Sequence, residues 1–228
     1  MTEVDATACA DAYRALRERV SELVRAADPT ALDAVAPATP EWRVRDVFAH
    51  MVGVNSDIVS GTLAGVGTDP WTAVQVDTRR DVPIEVMLKE WATTSPEVEA
   101  NAALLGPAVG QWLLDACTHE HDIRQALGEP GAHESAAVAL GYEWGTDRLV
   151  GPLDGAGAPG LVLRTEAGTK DLGGEPRTGV ETTQFEILRA MTGRRSRAQV
   201  EAYGWDGPPR PEHLVLAIFT LRADDFVE

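Results

Sequence analysis

The segment from Trp112 to Gly128, WLLDACTHEHDIRQALG, combines acids, histidines and an arginine with an apolar pattern of helical spacing. Residues four apart lie on one face of a helix, so Asp115 and His119 project side by side. His121 lies about 200 degrees around the helix axis from His119 and faces the opposite side. Because a buried, unpaired carboxylate is costly, this face predicts a bound metal ion, a hydrogen-bonded Asp–His pair or a half-exposed polar face.

A second segment, WRVRDVFAHM, repeats the spacing with Asp46 and His50. The apolar residues Met51 and Ile58 indicate that this helix also faces a core. Two histidines on different helices of a bundle are typical of metal sites in the bundle interior. Asp46 falls in the first helical turn, where a carboxylate interacts favourably with the helix dipole, so we expect it to orient His50 rather than bind a metal.

The candidate ligands are therefore His50, Asp115 and His119. Two imidazoles and one carboxylate leave coordination positions open, which is typical of a catalytic rather than a structural zinc site. The same donor set also has the composition of a two-histidine, one-carboxylate iron site.

Apolar periodicity predicts the helices that position these residues. Five helical segments are expected, at residues 11–27, 44–63, 81–105 with a restart at Ser95 and Pro96, 108–127 and 135–149. Long helices joined by short loops predict an up-and-down four-helix bundle, with the fifth helix leading away.

The composition changes at residues 151–160, GPLDGAGAPG, where glycine and proline dominate. We therefore predict a helical domain at 1–150, a linker at 151–160 and a small α+β domain at 161–228. Gly155, Gly157 and Gly160 formally match the dinucleotide pattern GxGxxG, but no strand precedes them and no helix follows, so a plain linker is expected. Thr183 and Glu186 have the spacing of a helix-capping box.

The charge of the chain excludes several classes of partner. A formal charge of −16 disfavours nucleic acid and membrane surfaces, and no apolar run reaches the length of a membrane-spanning helix. The acidic N-terminus lacks the features of an export signal, so a cytoplasmic location is expected.

The two cysteines, Cys9 and Cys117, are too far apart for a CxxC site. One basic cluster, at residues 189–197, suits either a helix C-terminus or an anionic substrate.

Four segments carry a resemblance to a known family: WRVRDVFAH, HEHDIRQALG, EILRAMTGRRSRAQV and LRADDFVE. Together they resemble the actinobacterial mycothiol-dependent maleylpyruvate isomerases, whose N-terminal part is a DinB-like metal-binding helical bundle. The resemblance spans nearly the whole chain.

This resemblance implies a divalent metal, usually zinc, bound by His50, Asp115 and His119. Family members more often have Glu in place of Asp115, and the shorter side chain implies an adjusted helix position, a bridging water or weaker metal binding. Asp46 and Asp122 are expected to orient the histidines. The resemblance also suggests that arginines of the second domain contact substrate carboxylates, the candidates being Arg189, Arg194, Arg195 and Arg222.

The implied cofactors are the metal and mycothiol, a low-molecular-weight thiol, and the implied substrates are unsaturated acids or other small electrophiles. The expected reaction is isomerisation or thiol S-transfer. Two alternatives stay open: a hydrolase that uses metal-activated water, and a non-catalytic protein that binds metal or a small molecule. Either a monomer or a homodimer is compatible with the sequence.

Overall fold

The computed structural model describes residues 4–228, which are mostly helical with one small mixed sheet. The helices are α1 (Ala6–Ala26), α2 (Pro29–Leu32), α3 (Val44–Ser60), α4 (Asp69–Arg79), α5 (Ile84–Ala100), α6 (Val109–Leu127), α7 (Ala136–Asp147), α8 (Val150–Gly155), α9 (Gln184–Met191) and α10 (Arg197–Glu201). The strands are β1 (Gly160–Thr165), β2 (Gly168–Leu172), β3 (Arg177–Glu181) and β4 (Gly204–Trp205), and short 3-10 helices occupy Ala102–Ala108 and Pro211–Leu214. This confirms the predicted fold class.

The chain divides into two compact units. The helical unit comprises Asp5–Val109 and Asp115–Gly131, with Glu228, and the sheet unit comprises Gly110–Leu114 and Ala132–Val227. The sequence predicts a boundary after residue 150, whereas α7 groups with the sheet unit because it packs against α9. The domain ranges 1–150, 151–160 and 161–228 stay a prediction.

Aromatic residues form the centre of the helical unit. Trp91 of α5 meets Tyr13 of α1 and Phe48 of α3 edge to face, with ring centroids 6.2 Å and 5.4 Å apart. Asp5 caps α1, since its carboxylate accepts a hydrogen bond from the backbone N of Ala8 at 2.7 Å. The helices of this unit therefore assemble around a continuous apolar core.

Helices α4 and α5 differ from the prediction, and the short helix α2 lies in a segment with no predicted helix. The sequence reading missed α4, which begins after Thr68 and has a proline in its first turn. Helix α5 begins after Pro83 and runs without interruption through Pro96, where we expected a restart. Buried contacts on both sides of the proline keep the helix intact: Trp91 and Val98 are buried, and Ser95 accepts a hydrogen bond from Asn55 Nδ2 of α3.

The sheet unit contains four strands in the order β2-β1-β3-β4. Strands β1 and β2 form an antiparallel hairpin, β1 and β3 are parallel, and β3 and β4 are antiparallel. Residues 150–155 form α8, although we expected an irregular linker; proline is tolerated in a first helical turn. A Cβ on Gly160 would lie 2.4 Å from the carbonyl oxygen of Leu172, so hairpin packing explains this glycine without a dinucleotide. Thr183 caps α9 by accepting from the backbone N of Glu186 at 3.1 Å.

None of the helices within residues 4–228 combines the length and apolar content that crossing a membrane requires.

Candidate metal centre

His50, Asp115 and His119 lie together in the helical unit. Each offers one ligand atom, and these atoms all lie within 4.8 Å of one another. His50 Nε2 is 3.4 Å from Asp115 Oδ2, and His119 Nε2 is 3.7 Å from Asp115 Oδ1. The two imidazole centroids are 5.0 Å apart, with the ring planes at 82°. The structure therefore brings the three predicted ligands to one point, contributed by α3 and α6.

The burial of the three candidate ligands is uneven. Both histidines are buried, whereas the side chain of Asp115 is 36% exposed. The indole of Trp42 lies beside both imidazoles, with centroid distances of 5.5 Å to His50 and 6.1 Å to His119. Trp42 therefore covers the histidine side of the centre, whereas the carboxylate of Asp115 is accessible to solvent.

Each histidine has an oxygen acceptor at its second ring nitrogen. His50 Nδ1 lies 2.7 Å from Oε1 of Gln75, and His119 Nδ1 lies 3.1 Å from Oδ2 of Asp122. Because carboxylate and carbonyl oxygens only accept hydrogen bonds, each Nδ1 carries the ring proton. In the neutral imidazoles both Nε2 atoms are then lone-pair donors directed at Asp115.

This donor set fits a divalent cation. Two nitrogen lone pairs beside a carboxylate repel one another unless a proton or a metal ion lies between them. Burial alone would lower the pKa of His50, but the charge of Asp115 and the hydrogen bonds to Asp115 and Gln75 outweigh it and raise the pKa. The centre therefore favours positive charge, and nitrogen with carboxylate oxygen is a donor set that zinc accepts.

The remaining predicted polar residues of this unit lie as follows. Asp122 is fully buried and hydrogen-bonded to His119, and its role in orienting that histidine for a metal stays a prediction. Asp46, which we expected to orient His50, instead binds Arg43: its carboxylate accepts from the backbone N, Nε and Nη2 of Arg43 at 3.0, 2.8 and 2.9 Å. The physical reason is local: Asp46 is the N3 residue of α3, and this position places its carboxylate against Arg43, the N-cap residue.

The four candidate substrate arginines belong to the sheet unit. Arg189, Arg194 and Arg195 are buried, and Arg222 is half-buried. Arg195 forms a two-point ion pair with Glu186, with Nε and Nη2 each 2.7 Å from a carboxylate oxygen. Arg194 Nη1 donates to the carbonyl oxygen of Thr192 at 2.6 Å. These contacts give Arg194 and Arg195 structural roles, and their contact with substrate stays a prediction.

Sequence reasoning missed Gln75 and Trp42. Gln75 lies on α4, and the signals for that helix were Thr68 at the N-cap position and Pro70 in the first turn. Trp42 precedes α3, and no sequence pattern predicts that it lies beside His50 and His119. Neither residue follows the four-residue spacing that indicated the candidate ligands.

Comparisons with known proteins agree with this geometry. The family model described as the mycothiol maleylpyruvate isomerase N-terminal domain matches residues 13–140, which is more than half of the chain. No curated protein matches the sequence.

Two solved structures are similar to the chain. The mycothiol-dependent maleylpyruvate isomerase superposes with a TM-score of 0.60 at 12% identity, covering 92% of this chain and 99% of that chain. A histidine-to-alanine mutant of that isomerase gives a TM-score of 0.58 at the same identity and coverage. At 12% sequence identity the structural similarity shows only a shared fold. The match to the family model shows to which family the sequence belongs. The chain therefore belongs to the mycothiol maleylpyruvate isomerase family, a family of thiol-dependent enzymes.

Proposed function

We propose that the chain is a mycothiol-dependent metalloenzyme of the isomerase or S-transferase type, with His50, Asp115 and His119 holding a divalent cation. The observation that carries this proposal is the convergence of two imidazole Nε2 atoms on one carboxylate, at 3.4 and 3.7 Å. Zinc is the metal that best suits two imidazoles, a carboxylate and an open position. When bound, such a cation lowers the pKa of a coordinated thiol, so that the thiolate is available near neutral pH.

The residues of the chain perform the supporting tasks. His50 and His119 present their Nε2 atoms because the Nδ1 atoms are already bonded to Gln75 and Asp122. Asp115 supplies negative charge at the solvent-exposed side, where a thiol and a small substrate can enter. Trp42 covers the imidazoles with an apolar surface and limits the access of water.

The chemistry that we propose begins with addition of the thiolate to an electrophilic carbon. In isomerisation, a carbon–sulfur bond forms at a cis double bond of an activated acid, the remaining single bond rotates, and the thiolate leaves to restore the double bond in trans. In S-transfer, the carbon–sulfur bond persists and the product takes up a proton. Both reactions share the first step, so the same centre suits either one.

The substrate would be a small electrophile or an unsaturated acid. We propose that its carboxylates are recognised by one or more arginines of the sheet unit, namely Arg189, Arg194, Arg195 and Arg222. Substitution of each arginine by glutamine tests this part, with KM for an active substrate measured in the variants that far-UV circular dichroism shows to be folded. An unchanged KM throughout the series would remove the arginines from the substrate site.

The proposed function is tested with the purified full chain, supplied with Zn²⁺ and mycothiol and incubated with a panel of unsaturated acids and electrophiles. We expect turnover that requires both the metal and the thiol, with cis-to-trans conversion or thiol consumption as the readout. Turnover without thiol would favour a hydrolase. Inertness toward the panel, despite bound metal, would favour a binding protein.

A further inference from the structure

Gln75 lies between a metal-ligand candidate and a second carboxylate. It is 1% exposed and belongs to α4, while His50 and Asp57 both belong to α3. Its Oε1 is 2.7 Å from His50 Nδ1, and its Nε2 donates to Asp57 Oδ2 at 2.7 Å. The side-chain amide thus connects a buried imidazole to a half-buried carboxylate.

The carboxylate determines which way the amide faces. Asp57, when ionised, only accepts hydrogen bonds, so the NH₂ group of Gln75 must face it and the carbonyl oxygen must face His50. An oxygen at His50 Nδ1 requires the ring proton on that nitrogen. His50 Nε2, the atom closest to Asp115, therefore keeps its lone pair in the neutral ring.

A glycine makes room for this arrangement. Gly53 lies one turn after His50 on α3, and a Cβ built there would lie 2.6 Å from Gln75 Cβ and 2.8 Å from Gln75 Cγ. An ordinary side chain at this position would push Gln75 away from the imidazole. Arg79 also anchors α4, since its Nη2 forms an ion pair with Glu90 of α5 at 2.5 Å.

From these contacts we propose that Gln75, held by Asp57 and admitted by Gly53, is a positioning residue that fixes the Nδ1–H tautomer of His50. It acts on the metal through His50. His119 is hydrogen-bonded directly to a carboxylate, that of Asp122. His50 is hydrogen-bonded to the neutral amide of Gln75, which in turn donates to the carboxylate of Asp57. The effect of Gln75 on metal binding rests on the proposed function. The tautomer of His50 does not, because it is a property of the metal-free chain.

The test compares Gln75→Leu with the double variant Gln75→Glu/Asp57→Asn. Leucine removes the acceptor at nearly the same volume. The double variant keeps an oxygen acceptor toward His50 and restores the hydrogen bond between positions 75 and 57 with donor and acceptor exchanged, at unchanged net charge. Val74→Ala is the matched control, because Val74 is the preceding residue of α4 and is 61% exposed. Each variant is measured by nitrogen NMR of the His50 ring in the metal-free protein near pH 8, and by competition titration with Zn²⁺; far-UV circular dichroism confirms folding.

We expect wild type, Val74→Ala and Gln75→Glu/Asp57→Asn to show the Nδ1–H tautomer. Gln75→Leu should show mixed tautomers and about 10- to 100-fold weaker Zn²⁺ binding, the usual cost of losing an outer hydrogen bond to a metal-bound histidine. A second route is Gly53→Ala, which should give the same loss through displacement of Gln75, with Gly151→Ala as its control because a Cβ there meets nothing within 4 Å.

Two results would overturn the inference. One is an unchanged tautomer in Gln75→Leu; the other is an equal loss in Gln75→Glu/Asp57→Asn, which would show that an oxygen acceptor facing His50 does not fix the tautomer. If wild type binds no Zn²⁺ but Gln75→Leu still changes the tautomer, the proposed function fails and the positioning role stands.

Discussion

His50 and His119 lie with their ring centroids 5.0 Å apart and their planes nearly perpendicular, although they come from different helices, α3 and α6. Asp115 lies within 3.7 Å of an Nε2 atom of each ring. Each ring is held in place from behind by an oxygen acceptor, Gln75 or Asp122. The centre therefore depends on several elements of the helical unit, and its parts can be tested separately.

The two Asp–His pairs of equal spacing should behave differently. Asp115→Asn replaces a candidate ligand, and we expect the Kd for Zn²⁺ to rise by more than about 100-fold, beyond the effect of an outer hydrogen bond. Asp46→Asn should leave this Kd unchanged and lower the free energy of unfolding by about 1–3 kcal/mol, because it weakens the buried hydrogen bonds with Arg43. Calorimetric titration and urea denaturation of both variants give the comparison. Equal effects of the two substitutions on the Kd would contradict the assignment of Asp115, but not Asp46, as a metal ligand.

Glu120, the neighbour of His119, should be important for stability. It is fully buried and forms ion pairs with Arg19 at 2.7 Å and Arg124 at 3.1 Å. Glu120→Gln removes the negative charge between two cations, and we expect the free energy of unfolding to fall by about 3 kcal/mol, near the lower end for a broken buried pair since Arg19 is partly exposed. Chemical denaturation measures the change. Glu22→Gln, at an exposed position of α1, is the control and should have little effect.

The Glu186–Arg195 pair in the sheet unit should make stability depend on pH. Burial alone would raise the pKa of Glu186, but the hydrogen bonds and charge of Arg195 outweigh it and lower the pKa. A lowered folded-state pKa means that the contribution is fully present above the unfolded value of about 4.3 and disappears as the pH falls through the folded value.

The variant Glu186→Gln tests this dependence. The difference in unfolding free energy between wild type and Glu186→Gln should be largest near neutral pH and should shrink as the pH falls below about 4. Urea denaturation across this range provides the measurement. A difference that stays constant with pH would mean that the ion pair contributes nothing to acid sensitivity.

Two glycines of the GAGAPG segment should respond differently to alanine. A Cβ on Gly160 would lie 2.4 Å and 2.5 Å from the backbone oxygens of Leu172 and Gly174, whereas one on Gly155 meets nothing within 4 Å. We expect Gly160→Ala to destabilise the protein by about 1–3 kcal/mol, the usual cost of overpacking, and Gly155→Ala to be nearly neutral. Thermal unfolding measures both. Similar melting temperatures for the two variants would contradict the close approach of β1 and β2.

The sequence predicted the proximity of the candidate ligands better than their surroundings. The four-residue spacing of Asp115 and His119 determines that they share a helix face, so this part follows from helix geometry. The spacing of Asp46 and His50 is identical, yet the position of Asp46 in the first turn favours local bonds with Arg43. Spacing alone does not distinguish a carboxylate that caps a helix from one that faces a centre.

Helix α4 and Gln75 show what such reasoning misses. The buried residues of α4 are Gln75 and Val76, so the helix has little of the apolar periodicity on which prediction depends. Its position depends on tertiary contacts, among them the close approach of Gln75 to Gly53. Similarly, α5 continues through Pro96 because buried neighbours stabilise it against the local preference of proline.

We propose above that His50, Asp115 and His119 bind one divalent cation. The most direct measurement is calorimetric titration of the metal-free full chain with Zn²⁺, alongside the double variant His50→Ala/His119→Ala. We predict saturable binding of one ion per chain by wild type and its loss in the folded double variant. Absence of saturable binding by wild type, or equal binding by the double variant, would contradict the claim.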